Sequence, residues 1–318
     1  MLFDIFFVII GFLLLVKGGD YLVESSIIIA RKAKLSSMVI GMTIVGFGTS
    51  MPELLVSTQA AIVVSSGIAI GNVVGSNIAN IALILGVTSI ICTIPVKKKT
   101  LYIDVPFMLL STVLLVIVGM SGSIGRIEGI CGVLMLVAFV AWQVRHSRKK
   151  EEAEEKVEVS NKTTWKALSI LIVSFFALVW GAKLLIDGAS GIAMILGTSL
   201  GIDVQTMERV IGLTIVAVGT SFPELFASVI AARKGQTDMA IGNIIGSVTF
   251  NILSVIGVAS AICPIYNSNI GFQMDYLIML GLSLLLYLFI RTGYALKRWE
   301  GIVFTAIYLL YLLRTVIV

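Results

Sequence analysis

The chain of 318 residues carries a formal net charge of +5, yet 58% of its residues are apolar, only 13% are charged, and its mean hydropathy is +1.05. This composition excludes an ordinary soluble domain and is typical of a polytopic membrane protein. The basic excess does not indicate nucleic-acid binding, because lysine and arginine are concentrated in the connections between apolar runs. We therefore expect an all-α, multi-pass protein of the cell (plasma) membrane, surrounded by lipid.

Apolar runs long enough to cross a bilayer predict ten helices. Their approximate spans are 2–30, 36–60, 67–92, 101–120, 126–144, 165–196, 208–232, 238–263, 273–291 and 298–316. The connections after the odd-numbered helices hold 18 lysines and arginines against 3 on the opposite side, which predicts that both termini lie outside the cell. A hydrophilic stretch predicts a cytoplasmic linker at 143–164, between domains at 1–142 and 165–318.

The two halves share an internal repeat. Residues 41–94 align with 212–265 without a gap, and half of the aligned positions are identical. Equivalent helices are five spans apart, which is an odd number, so the second half would cross the membrane in the opposite direction. Two inverted five-helix repeats of this kind permit alternating access, with the substrate site near the bilayer midplane.

The repeat contains the motif Gly-Thr-Ser-x-Pro-Glu twice within apolar sequence, ending at Glu53 and at Glu224. Proline lacks an N–H and clashes with the preceding turn, so each helix should break near its glutamate and direct carbonyls inward. An acid at membrane depth is costly and indicates a functional site. Two carboxylates with carbonyl and hydroxyl oxygens suit Ca²⁺, or Na⁺ in smaller sites, and no Cys or His lies in either motif to favour a soft metal.

A second motif, Gly-Asn-x-x-Gly-Ser-x-x-x-Asn, follows each glutamate at the same distance. Ser76 and Asn80 are four residues apart and share a helix face, as do Ser247 and Asn251, and we expect both faces to point at the glutamates. Glycines at four-residue spacing should permit close helix packing: Gly71, Gly75, Gly242 and Gly246. Four other acids lie near predicted helix starts and are interpreted as ordinary end residues: Asp104, Asp275, Glu128 and Glu300.

The paired motifs resemble the α-repeats of the cation/calcium exchanger superfamily, and within it the prokaryotic sodium/calcium exchangers. The resemblance covers nearly the whole chain and implies an antiporter, not an enzyme, that exports Ca²⁺ in exchange for Na⁺ by alternating access. It implies that Ca²⁺ is bound by Glu53, Glu224 and the carbonyls of Thr49 and Thr220. It implies flanking Na⁺ sites at the carbonyls of Gly46 and Ala217 and at Ser50, Ser76, Ser221 and Ser247, with Asn80 and Asn251 completing the centre. No cofactor is expected beyond the transported ions.

Several alternatives remain open. Asn251 stands where some relatives carry an aspartate that is linked to K⁺ use, which argues against a K⁺-dependent exchanger. Exchange of H⁺ for Ca²⁺ stays open, because buried glutamates could carry protons, and a passive cation channel is a weaker alternative. We expect the first and sixth helices to form the moving gate. The oligomeric state is open, a monomer included.

Overall fold

The structure is a computed structural model that describes residues 2–62, 66–151, 161–201, 217–266 and 272–317. Within these ranges, seven helices are long and apolar enough to cross a membrane. An eighth span results if the two pieces of a bent helix between 37 and 62 are joined. The chain is therefore an all-helical polytopic membrane protein, as its composition predicts.

Helices of the first half are often interrupted by π-helical turns. In chain order they are α1 Leu2–Ala33, α2 Ser37–Ile40, α3 Gly46–Thr49, α4 Met51–Ile62, α5 Ser66–Ile78, α6 Leu85–Ile91, α7 Val105–Met120 and α8 Arg126–Glu151. The π-helical segments are π1 Gly41–Val45, π2 Ala79–Ile84 and π3 Thr100–Asp104. Two short strands, β1 Ile94–Pro95 and β2 Ser123–Ile124, flank the π3–α7 helix.

The second half repeats this order of elements. Its helices are α9 Asn161–Ser199, α10 Ala217–Gly219, α11 Phe222–Arg233, α12 Thr237–Phe250, α13 Ile256–Ile262, α14 Phe272–Gly293 and α15 Arg298–Ile317. They are joined by π4 Asn251–Val255 and by the strands β3 Ile265–Tyr266 and β4 Ala295–Leu296. The first part of the predicted seventh helix, before residue 217, lies outside the described residues.

The two halves are joined by strands that pair across them. β1 pairs antiparallel with β4, and β2 pairs antiparallel with β3. β1 and β3 occupy aligned positions in the repeat, whereas β1 and β2 lie at opposite ends of α7. Because β3 is paired with β2, the equivalent strands β1 and β3 lie at opposite ends of the π3–α7 helix, about 30 Å apart for a helix of 21 residues.

The helix α8 extends into the predicted linker. It continues to Glu151, and α9 already begins at Asn161. Gln143 and Ser147 are buried, and Ser147 Oγ accepts a hydrogen bond from the Ser36 N–H at 2.9 Å. The start of the hydrophilic stretch is therefore helical, and its side chains Gln143 and Ser147 pack against the bundle.

Two acids that were expected to be ordinary helix-end residues are fully buried. The expectation was wrong for Asp104, whereas Glu300 does cap the start of its helix. Asp104 accepts a hydrogen bond from Gln143 Nε2, and Lys99 Nζ donates to Gln143 Oε1 at 2.8 Å. Glu300 accepts the Lys297 N–H at 2.7 Å. Both acids follow the paired strands β1 and β4, and the bundle closes over that end.

The apolar core is divided into two clusters. The larger one is built mainly from α5 to α8 and from α12 to α15. The smaller one lies between α1, α9 and α11 and includes Leu22, Leu178 and Ala227. The backbones of α1 and α9 touch, since a Cβ on Gly11 would lie 2.6 Å from the Leu185 nitrogen. The α1–α9 pair is thus a unit with its own close contact.

Candidate cation site

Each Gly-Thr-Ser-x-Pro-Glu motif interrupts a helix. The segment Ser37–Thr49 and α4 are bent by 47° where they meet at Ser50. Ser50 has φ −86° and ψ 8°, and its counterpart Ser221 has φ −92° and ψ 6°. Pro52 and Pro223 follow in the first turn of α4 and α11, where a missing N–H is tolerated. The predicted break is confirmed, and it places each glutamate in the first turn of a new helix.

The two glutamates are buried and meet in one site. The residues Glu53 and Glu224 are 1% and 0% exposed. Ser50 Oγ of the first motif donates a hydrogen bond to Glu224 Oε1 of the second motif at 3.2 Å. The two carboxylates are also close enough to repel each other electrostatically. The repeats therefore contribute one acid each to a shared centre.

Several oxygens around this centre have no hydrogen-bond partner among the described residues. Both oxygens of Glu53 and Oε2 of Glu224 are in this state, together with Ser221 Oγ, Asn80 Oδ1 and Asn251 Oδ1. Buried polar atoms are rarely left unpaired, and unpaired buried carboxylates are especially costly. A hard cation would satisfy carboxylate, amide and hydroxyl oxygens together. The orphaned oxygens thus fit a cation as the missing partner.

Thr49 lies at the centre of a network that joins α3 to α12. Its Oγ1 is 3.3 Å from Asn243 Oδ1 and 3.5 Å from Ser247 Oγ. Ser247 Oγ donates to the Gly46 carbonyl at 3.4 Å, which also accepts the Ser50 N–H at 3.1 Å. The Gly46 carbonyl was expected to be freed toward an ion, but here it already accepts these donors. A cation at this carbonyl would share it with them or displace them.

The second motif differs from the first in detail. Thr220 is half-buried, whereas Thr49 is buried. The Ser221 N–H donates to the Val218 carbonyl at 3.1 Å and not to that of Ala217, the equivalent of Gly46. Residues 202–216 lie outside the described part of the chain. Any contacts of Ala217 and Thr220 with residues 202–216 are therefore outside this description.

The two predicted asparagines lie in π-helical segments. Asn80 is the second residue of π2 and Asn251 is the first residue of π4, and both are fully buried. π2 packs against α11 and π4 packs against α4, so each segment contacts the glutamate helix of the other repeat. Asn251 Nδ2 donates to Asn77 Oδ1 at 3.1 Å. Single π-helical turns inside α-helices are frequent at functional sites.

Ser76 lies near the Glu53 carboxylate, although no hydrogen bond joins the two side chains. Ser247, its counterpart, bonds instead with the first motif through Thr49 and Gly46. Ser247 thus contacts the first motif, and the expectation that both serine faces point at the glutamates stays a prediction. The site contains two acids surrounded by neutral oxygens. In the described chain no cluster of three or more His, Cys, Asp or Glu side chains is found.

Two asparagines that are not among the predicted ion-binding residues donate hydrogen bonds to the backbone of the glutamates. Asn72 Nδ2 donates to the Glu53 carbonyl at 3.3 Å, and Asn243 Nδ2 donates to the Glu224 carbonyl at 3.4 Å. Each amide also bonds to a serine one helical turn beyond the glutamate, at 2.9 and 2.8 Å. The signal that could have found them is their identical place in both copies of the repeat.

The glycine prediction is confirmed for the second repeat. A Cβ on Gly246 would overlap the Met42 backbone, and a Cβ on Gly242 would lie 2.7 Å from the Met38 carbonyl. These contacts press α12 against α2 and π1, and thereby hold Ser247 beside Thr49. For Gly71 and Gly75 the equivalent neighbours fall within 202–216, outside the described residues.

A model of the family described as "Sodium/calcium exchanger protein" matches residues 3–145 and 166–317. The chain belongs to the sodium/calcium exchanger family. It is therefore a cation transport protein of the membrane and not an enzyme. The family model matches the two halves separately and leaves the stretch between them unmatched.

Relatives within the family are similar along their whole length. The sodium/calcium exchanger MaX1 of Methanosarcina acetivorans is 33% identical over 344 residues, which cover 96% of each chain. The inner membrane protein YrbG of Escherichia coli is 32% identical over 290 residues, covering 87% of this chain and 85% of YrbG. A solved structure of the sodium-calcium exchanger NCX_Mj, soaked with 10 mM Na⁺ and 10 mM Sr²⁺, matches with a TM-score of 0.83, 33% identity and 97% of each chain covered.

Proposed function

We propose that this member of the family is a secondary active antiporter that exports Ca²⁺ in exchange for Na⁺. The observation that carries the proposal is the pair of buried glutamates, one from each repeat: three of their four oxygens lack a partner among the described residues, while neutral oxygens surround them. Two carboxylates balance one Ca²⁺ or accept two or more Na⁺. The relatives named for sodium/calcium exchange support this choice of ions.

In this proposal the membrane contains ten helices, arranged as inverted five-helix domains at 1–142 and 165–318, with a cytoplasmic linker at 143–164 and both termini outside. The crossed pairing of β1 with β4 and β2 with β3 supports the inversion, because equivalent strands lie at opposite ends of α7. The separate family matches at 3–145 and 166–317 support the division into two domains. The asymmetry of lysine and arginine supports the orientation.

Glu53 and Glu224, with the carbonyls of Thr49 and Thr220, are proposed to bind Ca²⁺. Na⁺ is proposed to bind beside them, at the carbonyls of Gly46 and Ala217 and at Ser50, Ser76, Ser221 and Ser247. Asn80 and Asn251 would complete the centre. The burial of both acids supports competition between the two ions, since the same two carboxylates can bind either Ca²⁺ or Na⁺ but not both at once.

Exchange would follow from the cost of an unscreened site. Two buried carboxylates without a cation are strongly unfavourable, so the protein would switch faces only when ions occupy the centre. The α1–α9 pair is the proposed moving part. α9 touches both motifs, because Gly48 contacts Phe175 and Gly219 contacts Ile186. A shift of α9 would therefore change the contacts of both Gly-Thr-Ser-x-Pro-Glu motifs.

The test is ⁴⁵Ca²⁺ uptake into proteoliposomes with an imposed Na⁺, K⁺ or H⁺ gradient, one at a time. We expect uptake when Na⁺ is high inside, with no requirement for K⁺. Uptake driven by a pH gradient alone would assign H⁺/Ca²⁺ exchange, and uptake without any counter-ion gradient would assign a channel. A strict need for K⁺ would overturn the interpretation of Asn251.

Substitution tests the two acids directly. Glu53→Gln and Glu224→Gln each remove one charge while preserving shape, and each should abolish Na⁺-driven uptake. Asp238→Asn is the matched control, because Asp238 lies outside the site in an ion pair with Lys97 at 2.6 Å. Normal exchange by either glutamine variant, with unchanged thermal unfolding, would remove the basis of the proposal.

A further inference from the structure

A second feature lies away from the cation site, at the lipid-exposed side of the bundle. An apolar cavity of about 230 Å³ opens between α7, α8 and the π4–α13 helix. Its walls include Leu114, Val118, Gly132, Met135 and Ile256, and Glu128 lies at its edge. Leu114 is 38% exposed and Cys131, which also lines the cavity, is exposed. The cavity is therefore open at the surface that faces the membrane.

The other half of the molecule shows what would close such a cavity. α8 and α15 begin with the same pattern, Arg-x-Glu-Gly-Ile, at 126–130 and 298–302. Two residues later the first half has Gly132, whereas the second has Phe304, whose side chain is fully buried. Leu253 faces Gly132, and the repeat places Ala82 at the equivalent position. The pair Gly132 and Leu253 therefore has fewer side-chain carbons than the equivalent pair Phe304 and Ala82. The larger leucine fills only part of the space that the phenylalanine ring occupies in the other half.

The glutamates at the two helix starts differ in the same way, whereas the arginines Arg126 and Arg298 are both exposed. Glu300 is fully buried and accepts the Lys297 N–H at 2.7 Å. Glu128 is exposed and lines the cavity. Arg126, on the first turn with it, is also exposed, and it uses Nη2 to reach the Ile262 carbonyl at 3.5 Å. One anion and one cation are thus exposed at the helix start beside the cavity.

We propose that this cavity binds one membrane phospholipid with a zwitterionic amine headgroup. One acyl chain would enter the cavity, the ammonium group would contact Glu128, and the phosphate would contact Arg126. An engineered apolar cavity of about 150 Å³ stays dry and holds benzene, so about 230 Å³ accommodates on the order of nine hydrocarbon carbons. The proposal is independent of the transported ions.

The charge pair decides which lipid fits best. A phospholipid with an ethanolamine headgroup has a primary ammonium that can donate hydrogen bonds to a carboxylate. A phosphatidylglycerol headgroup has no cation for Glu128, and a choline headgroup has no N–H to donate. The order of preference is therefore ethanolamine, then choline, then glycerol.

Native mass spectrometry of the purified full chain tests the proposal. The protein is stripped of lipid in detergent and mixed with equal amounts of phosphatidylethanolamine, phosphatidylcholine and phosphatidylglycerol. We expect one retained lipid per chain, with phosphatidylethanolamine at least about fivefold above phosphatidylglycerol. Glu128→Gln should lower that preference at least about threefold without removing chain binding.

Two filling variants test the cavity itself. Gly132→Phe copies the other half, but a Cβ there would lie 3.2 Å from the Leu253 carbonyl and could disturb the fold. Cys131→Trp fills the space from its exposed rim instead, with Cys131→Ser as the control that leaves it open. Cys131→Trp should reduce the retained lipid at least about fivefold, and Cys131→Ser should retain it.

Three results would overturn the proposal. They are no retained lipid on the native chain, equal retention by Cys131→Trp and Cys131→Ser, and a preference for phosphatidylglycerol. A dimer whose contact is abolished by Cys131→Trp would assign the cavity to a second copy of the chain and would also reject a lipid.

Discussion

The α1–α9 pair and the helices that carry the site are held in the molecule in different ways. Only 22% and 28% of the most apolar windows of α1 and α9 are buried, against 72% for the 67–91 helix and 83% for the 237–262 helix. The central helices are enclosed by protein on most sides. The pair is enclosed mainly by itself, with its backbones in contact at Gly11 and Gly181.

This difference indicates which part can move. Displacing α12 would break many buried contacts, including those that bring Ser247 to Thr49. Displacing the pair as a unit would keep its internal contact and break fewer others, mainly those of α1 with α11. These include the contact of Gly19 with α11 and the bonds from Lys234 to α1. The comparison therefore supports the proposal that the pair moves while the site stays rigid.

The largest effect is expected at Gly246, in the rigid part. Gly246→Val would force a side chain into the Met42 backbone, and overpacking of this kind costs about 1–3 kcal/mol or more. We expect the melting temperature in detergent to fall by about 5 °C or more, with loss of exchange. Gly281→Val on α14 is the control, because a Cβ there meets nothing within 4 Å. A similar fall in both variants would mean that α12 is not specially constrained.

A smaller loss of stability, but a comparable loss of transport, is expected at Gly11. Gly11→Val would push α1 away from Gly181 and Leu185 on α9. Because the pair is largely surrounded by lipid, the bundle should remain folded and lose about half as much melting temperature as with Gly246→Val. Exchange should still fall strongly, since the pair no longer moves as one unit. Stability loss equal to that of Gly246→Val would contradict the separation of the two regions.

The smallest effect is expected at Lys234, which ties the pair to the bundle. Its Nζ lies 2.9 Å from Glu24 Oε1 and 3.2 Å from Asp20 Oδ1. Partly exposed pairs are worth about 0.2–1 kcal/mol each, so losing both through Lys234→Ala should increase the opening of α1 by about twofold to 30-fold. Hydrogen exchange of α1 amides measures this. Lys97→Ala, which breaks a pair within the bundle, should leave α1 unchanged.

Much of the site could be predicted from sequence because the internal repeat predicts how the two motifs are placed relative to each other. A motif present twice in opposite orientations predicts that Glu53 and Glu224 approach each other, and in the structure Ser50 of the first motif donates a hydrogen bond to Glu224 of the second. The proline at the third position beyond each threonine predicts the helix break, and the bend is found at Ser50. Both inferences rest on local chemistry together with symmetry.

Other features had no such signal. Asp104 and Glu300 are fully buried near the paired strands β1 and β4, where residues far apart in the chain come together. The π-helical turns at Asn80 and Asn251 arise from how the helices pack, since nothing in the apolar sequence around them separates a π turn from an α turn. Helix patterns describe which residues share a face and leave the neighbours of that face undetermined.

The crossed strands have a consequence for how the chain is made. Ile94 pairs with Leu296, so the first half leaves the ribosome with a strand whose partner has not yet been synthesised. At about 5–20 residues per second, the roughly 200 intervening residues take on the order of 10–40 s to add. The nascent chain must keep that edge protected for the whole interval, and a first half expressed alone would never acquire the partner that closes it.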